Sequence, residues 1–275
     1  MQINLLSGAL GAEISGVNLR DTSIENWKKI NSLMLEHKVI FFRDQNITAE
    51  EQIELAKKFG DLERHVYVKG REEYPEIIRI IKSPEEKQQW GETWHTDVSY
   101  NPKPTKVIIL KSVKIPPVGG DTMFSNMELA YETLDDKIKD KIKNKKAIHS
   151  SLGAAAFVEA YKEMEGNGNL DEYSNTHPIV RTHPETGKKI LYVNSMYTKK
   201  IIDLDEVESN KILKELFAHQ ERLDFTCRFK WTENAVALWD NRCTLHQGLT
   251  DFFPGRGLGY ERIMDRIAIE GDNPQ

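Results

Sequence analysis

Apolar residues arrive in this chain in short bursts, and their brevity limits the folds open to it more than any other feature. Val39-Ile40-Phe41-Phe42, Ile77 to Ile81, Val107 to Leu110, Ala235 to Trp239 and Ile263 to Ile269 are each too short for a core helix. They are rich in side chains that pack well on a pleated surface and are read as strands. In Leu223-Asp224-Phe225-Thr226-Cys227-Arg228-Phe229 every second residue is apolar, which predicts a strand that buries one face. Helical spacing is confined to a few segments. Residues 24 to 37 put Ile24, Trp27, Ile30 and Met34 on one side. Thr48-Ala49-Glu50-Glu51 has the spacing of a capping box, followed by Ile53, Leu55, Ala56 and Phe59 at helical intervals and Gly60 as a stop. Ser125-Asn126-Met127-Glu128 repeats that signature and predicts a long helix reaching the stretch from Lys137 to Lys146, and residues 208 to 219 predict a shorter one. Strands this numerous and short do not suit a doubly wound α/β protein. They predict a mainly β protein, an antiparallel barrel or sandwich with flanking helices.

Composition sets the outer bounds. With 275 residues, 39% apolar and 29% charged, the chain can bury a real core, and one domain over residues 1–275 is expected. A net charge of -5 does not suit a surface that tracks phosphates, so no nucleic-acid partner is expected. No segment approaches the roughly 18 apolar residues of a spanning helix, so no membrane partner is expected either. The start, MQINLLSGALGAEISGV, lacks a basic region followed by a long apolar run, and two cysteines, Cys227 and Cys243, are not a disulfide framework. A cytoplasmic location with free thiols is expected. Residues 153–178, rich in Gly, Asn and Glu, are expected to form a loop or lid insertion, with a plain surface excursion as the alternative.

Trp94-His95-Thr96-Asp97 carries the first chemical signal. In a strand, positions i and i+2 face the same side, so His95 and Asp97 would aim an imidazole and a carboxylate at one point. That pair suits Fe(II), Mn or Zn. A third ligand has to come from elsewhere among the eight histidines. His37 and His219 lie near predicted helix ends, where a helix dipole favours them. His149, His177 and His183 flank predicted loops or turns. His246 follows Trp239-Asp240-Asn241-Arg242-Cys243-Thr244-Leu245, directly after a predicted core strand, and is preferred, although spacing alone does not force it. Arg262 and Arg266 share parity in a predicted strand and so share a face. A guanidinium fork is the best side-chain donor for a carboxylate. For either arginine alone, the plainer reading is a surface charge beside Glu261 or Asp265.

Six ordered segments widen the picture: GAEISGVNL near the start, WHTDVSY at 94 to 100, GGDTMFSNM at 119 to 127, HPIVRTHPETGKKILYVN at 177 to 194, WDNRCTLH at 239 to 246 and RIMDRIAIEGDNP at 262 to 274. In these, over nearly its whole length, the chain resembles the taurine dioxygenase group of Fe(II)/2-oxoglutarate-dependent dioxygenases, which includes phenoxyalkanoate and alkylsulfate dioxygenases. The resemblance implies a double-stranded β-helix (a cupin-like jelly roll) with flanking helices. It implies Fe(2+) held by His95, Asp97 and His246, with 2-oxoglutarate and O2 as cosubstrates. Thr122 and Arg262 would hold the distal 2-oxoglutarate carboxylate and Arg266 the anionic head of the substrate, with His65, Tyr67 and Tyr197 in the substrate pocket. Homodimers or homotetramers would also be expected.

Some positions depart from the pattern. Arg262 lies sixteen positions after His246, farther than the resemblance leads one to expect, with the excess in Phe252 to Tyr260, and this makes Arg256 a rival of Arg262. Tyr197 replaces a phenylalanine, which makes the pocket more polar, and Gly91 replaces an asparagine four residues before the first ligand, which weakens the case for taurine itself. Phe225-Thr226-Cys227-Arg228 and the Cys243-Thr244 pair resemble the phenoxypropionate enzymes. The function implied is hydroxylation of a small anionic molecule, taurine- or alkylsulfonate-like, with release of succinate and CO2. Alkyl sulfates or phenoxyalkanoates, and biosynthetic desaturation or oxidative decarboxylation, are the alternatives on the same scaffold. Outside it stand a Zn or Mn cupin-like hydrolase or isomerase, which would not need 2-oxoglutarate, and a binding module, which has no use for an open-faced ligand triad.

Overall fold

The computed structural model describes residues 1–21, 23–83, 91–154, 172–252 and 259–275. Among these, a seven-stranded sheet runs in the order β1 (Gln2–Leu5), β2 (Ala12–Ser15), β3 (Val39–Phe42), β13 (Val236–Asp240), β5 (Val107–Lys114), β15 (Arg262–Ile269) and β4 (Ile78–Lys82). All its pairs are antiparallel except β2 with β3.

Alternation along these strands divides the core. Ile40, Phe42, Val107, Ile109, Val236, Leu238, Ile267 and Ile269 form one apolar cluster with Ile30, Leu33 and Met34 of α1 (Ile24–His37) and Leu55 and Ala56 of α2 (Ala49–Lys57). The opposite parity, Val39, Phe41, Ile108, Leu110, Ala237, Trp239 and Met264, packs with Phe124, Cys227 and Phe229 of a smaller sheet. Buried on both faces, the central strands read as unbroken apolar runs. The smaller sheet has the order β12 (Thr226–Phe229), β6 (Thr122–Asn126), β14 (Thr244–Gly248). Phe41 of one sheet stacks on Phe229 of the other with ring centroids 4.0 Å apart. Two sheets closed face to face, with helices outside, make the double-stranded β-helix that the sequence resemblance implied.

A third layer is built from β7 (Lys146–Ser150), β8 (Ser174–Pro178) and β11 (Thr198–Ile201), with the hairpin of β9 (Val180–Thr182) and β10 (Lys189–Leu191). It packs with α3 (Met127–Glu132), α4 (Asp136–Ile142) and α5 (Glu206–Gln220) around Ala130, Ile142, Ile190 and Leu216.

The Thr48 capping box forms as spaced: Thr48 Oγ1 accepts the Glu51 N–H at 3.2 Å and Glu51 Oε2 accepts the Thr48 N–H at 2.8 Å. The long helix expected after Ser125 is instead two short ones. Asn126, not Ser125, caps α3, its Oδ1 accepting from the Glu128 and Leu129 N–H groups at 3.0 and 3.1 Å. Ser125 is the last strand position before it and donates its hydroxyl to Gln220 O. A second cap, Asp135, accepts the Lys137 N–H at 2.8 Å and restarts the chain as α4, so a strong local cap ended the helix that periodicity extended. The strand expected from Leu223 begins only at Thr226, because Leu223–Phe225 is a single 3-10 turn and Leu223 is 77% exposed. Phe225, Cys227 and Phe229 keep the buried parity. Of the loop or lid expected at 153–178, residues 155–171 lie outside the described residues, and 174–178 form β8. No helix among the described residues is long and apolar enough to cross a membrane.

Candidate metal centre

His95 and His246 meet across the small sheet. Each donates its N–H to the other's carbonyl, at 3.1 and 2.8 Å, and this reciprocal pair brings the rings to 4.2 Å between centroids. Asp97 follows in a turn rather than in the strand assumed from sequence; only His95 of the pair has a bridging partner. The carboxylate nevertheless reaches the same point. Asp97 Oδ1 is 3.3 Å from His95 Nε2 and 3.9 Å from His246 Nε2. Its other oxygen, Oδ2, accepts from Arg266 Nε at 3.2 Å and Nη2 at 2.9 Å. Burial opposes a charge on Asp97, but the Arg266 guanidinium and the His95 hydrogen bond outweigh it and hold the carboxyl well below the usual carboxylate range.

The imidazoles suit the same task. His95 Nδ1 lies 2.7 Å from the Thr93 carbonyl, which can only accept, so that nitrogen carries a proton and Nε2 is the nitrogen turned toward Asp97. Burial, helped by His95, pushes His246 down to about 3 and keeps it neutral. His246 Nδ1 is buried without a hydrogen-bond partner, so packing against Trp239 and Phe124, at 4.9 and 6.1 Å between centroids, holds this ring. Two imidazoles and one carboxylate, with ligand atoms all within 4.8 Å of one another, fit a divalent iron on one face and leave its other positions open.

The centre opens on a cavity of about 920 Å³, part of it in open solvent. His65, Thr122, Tyr197, Arg262 and Arg266 line it together with the three candidate ligands. Tyr67 does not line it; its hydroxyl donates to Ser151 Oγ at 2.7 Å. The shared parity of Arg262 and Arg266 holds in β15, where Met264 between them also faces inward. Arg262 is buried and no carboxylate of the described residues pairs with it. Burial pushes its guanidinium down to about 10. Its Nε donates to Gly120 O at 3.1 Å and its Nη2 lies 3.5 Å from Thr122 Oγ1. Trp231 Nε1 also donates to that hydroxyl at 2.9 Å, so the Thr122 proton remains available to an incoming acceptor. Gly119 and Gly120, at φ +79° and +74°, make the turn that presents the Gly120 carbonyl; a Cβ on Gly119 would lie 2.6 Å from Asp251 Oδ1. A desolvated guanidinium beside a free hydroxyl fits a carboxylate ligand. Arg256 lies outside the described residues.

Sequence reasoning missed Lys82 and Asn241. Lys82 lines the cavity from β4, in register with Arg262, but its sequence cue is only a lysine ending an apolar run. Tyr197 is held from behind by a buried polar group: Asn194 Oδ1 accepts the Tyr197 N–H at 2.8 Å, and Asn194 Nδ2 donates to Ser99 Oγ, which hydrogen-bonds His149 Nδ1 at 3.0 Å. His149 is fully buried in β7, and burial pushes it down to about 3. Its native form is therefore neutral where the unfolded side chain, near 6.5, takes up a proton. The unfolded state binds more protons between these values, so stability falls as pH drops from 6.5 toward 3. Wild type is expected to lose about 2 kcal/mol more than His149→Gln in urea titrations between pH 6.5 and 4.5. Equal losses in the two proteins would contradict a neutral buried His149.

A two-histidine, one-carboxylate triad inside a double-stranded β-helix, facing a buried arginine that no carboxylate of the described residues pairs, defines a non-haem iron oxygenase that takes a 2-oxo acid. The sequence model described as "Taurine catabolism dioxygenase TauD, TfdA family" matches residues 2–267, and the chain belongs to this family. It is 32% identical to the alkylsulfatase of Acinetobacter baylyi over 99% of this chain and 86% of that protein. The crystal structure of a taurine dioxygenase from Burkholderia xenovorans superposes with a TM-score of 0.84 at 33% identity, covering 99% of this chain and 90% of that one. The crystal structure of AAD-2 in complex with Mn(II) and N-oxalylglycine is similar at a TM-score of 0.78 and 26% identity, covering 99% and 98% of the two chains. The protein is thus a 2-oxoglutarate-dependent non-haem iron dioxygenase that uses Fe(II), 2-oxoglutarate and O2.

Proposed function

We propose that this dioxygenase hydroxylates a small organic sulfonate or sulfate ester, with His95, Asp97 and His246 as iron ligands. The observation that carries the reading is the pairing of these three donors with two buried guanidiniums in one cavity. Arg262 and the Thr122 hydroxyl grip the distal carboxylate of 2-oxoglutarate. Arg266 spends Nε and Nη2 on Asp97 and keeps Nη1 for the substrate's anionic head. His65 and Tyr197 line the substrate side, and Val68, Ile78, Ile80 and Met196 exclude water from it. Tyr67 acts through its bond to Ser151 rather than on the substrate. When bound, iron and 2-oxoglutarate supply the O2 activation that oxidises an unactivated C–H bond, with succinate and CO2 as coproducts. The chain's part is to fix geometry and charge around that chemistry. The similarity to an alkylsulfatase and to a taurine dioxygenase supports a sulfur oxyanion as the head group.

The test is anaerobic reconstitution with Fe(II), then exposure to O2 with taurine, longer alkylsulfonates, alkyl sulfates or phenoxyalkanoates, read as succinate formed. A sulfonate or sulfate ester is expected to stimulate succinate release most. Stimulation by phenoxyalkanoates alone, or by no anion, would overturn the substrate class. A homodimer or homotetramer and a cytoplasmic location belong to the same reading, to be checked by light scattering and by fractionation.

A further inference from the structure

Asp97 is a short side chain, so the direction of its carboxylate is set by its own backbone. That backbone is unusual. The next residue, Val98, has φ +46°, a left-handed conformation that a β-branched residue rarely adopts because its side chain crowds the neighbouring carbonyl. Such a turn persists only where its surroundings fix it.

The fixing group is Asn241, which is buried at 1% exposure. Its Oδ1 accepts the Asp97 N–H at 3.0 Å, and its Nδ2 donates to the Asp97 carbonyl at 3.3 Å and to Thr105 O at 3.0 Å. Its backbone is equally engaged: the carbonyl accepts the Thr96 hydroxyl and the N–H donates to Lys106 O at 2.9 Å. The residues on either side cannot swing away. Asp240 Oδ2 is 2.9 Å from His183 Nε2 and is forked by Arg242, which also pairs with Glu185 at 2.8 Å. Asp240 and His183 with Cys243 superficially resemble a second metal site, but Arg242 occupies both Asp240 oxygens and the Cys243 thiol, pushed well up by burial, stays protonated.

We propose that Asn241 is the positioning residue of the iron site, fastening both backbone groups of Asp97 across the strained turn at Val98. One carboxylate oxygen is thereby aimed at the two histidines while the other meets Arg266. The inference rests on Asp97 being an iron ligand, and it adds a residue whose side chain hydrogen-bonds main-chain groups of the described residues.

Mn(II) titration of the metal-free protein, with thermal unfolding in parallel, tests it. Asn241→Ala is expected to weaken Mn(II) binding by about 10- to 100-fold, the usual effect of losing a group that orients a ligand. Asn241→Asp keeps the acceptor for the Asp97 N–H but loses both donations, and should fall between Asn241→Ala and wild type. It also carries the test if Asn241→Ala does not fold. Glycine takes φ +46° without steric cost, so adding Val98→Gly to Asn241→Ala should recover part of the affinity. Wild-type Mn(II) affinity in Asn241→Ala and Asn241→Asp, whatever their melting temperatures, would overturn the positioning role. A loss of affinity that Val98→Gly leaves unchanged would overturn the strained-turn account. Asp97→Ala separates the two levels: if it too binds Mn(II) like wild type, the ligand assignment itself is wrong.

Discussion

His246→Ala is expected to reduce substrate-dependent succinate formation by at least about 100-fold, because removing a ligand costs more than removing a group that orients one. Only His95 and Asp97 would remain to hold iron. The loss should be chemical rather than structural. His246 is a neutral ring whose Nδ1 is already buried without a partner, so its removal takes no hydrogen bond from the metal-free fold. What is lost is ring packing against Trp239 and Phe124. The variant should therefore unfold as a cooperative species while its succinate release falls by a similar factor in the uncoupled reaction without substrate. Uncoupled 2-oxoglutarate turnover at the wild-type rate would remove His246 from the ligand set and return the choice to the remaining histidines.

Arg262→Met should change two quantities in opposite directions. Without a carboxylate, Arg262 is a desolvated cation whose hydrogen bonds, among the described residues, go to a carbonyl and a hydroxyl. Replacing a buried charge with an apolar side chain of similar length is often neutral or stabilising by about 1–4 kcal/mol, so the metal-free variant should unfold at equal or higher urea. Cosubstrate binding should suffer. Truncating one partner of a buried charged pair costs about 2–5 kcal/mol, a loss of roughly 30- to several-thousand-fold in 2-oxoglutarate affinity. The thermal stabilisation that 2-oxoglutarate gives wild type should largely vanish in the variant. Unchanged 2-oxoglutarate affinity would transfer the role to another cation, with Arg256 first to be tried.

These expectations combine what sequence shows readily with what it hides. The Thr48 cap was legible because donor and acceptor lie three residues apart. Arg262 and Arg266 were legible as a pair because strand parity is local, whatever the neighbouring strand. Asp97 was reached by a parity argument although the residue sits in a turn, whose shape depends on Asn241, 144 positions away. Nothing near Asp97 announces that partner, since Asn241 binds main chain and main chain has no residue identity. The strand Thr244–Gly248 was also hidden, because a strand of Thr, Leu, His, Gln and Gly has no apolar alternation; it forms by pairing with β6 and by bridging to His95. The placement of β13 between β3 and β5 joins segments far apart in the chain, and only the closed core selects it. Family resemblance supplied His246 where spacing left several histidines open.

The backbone bridge between His95 and His246 also sets a timetable. The two residues are 151 positions apart, so during synthesis the first imidazole and its neighbouring carboxylate emerge long before the second. At about 5–20 residues per second, the nascent chain spends roughly 8–30 seconds with only two ligands. Iron cannot be captured in the finished geometry until β14 has left the ribosome and closed against β6. Loading with metal is thus a late event, and a prematurely terminated chain carries a ligand pair without the site.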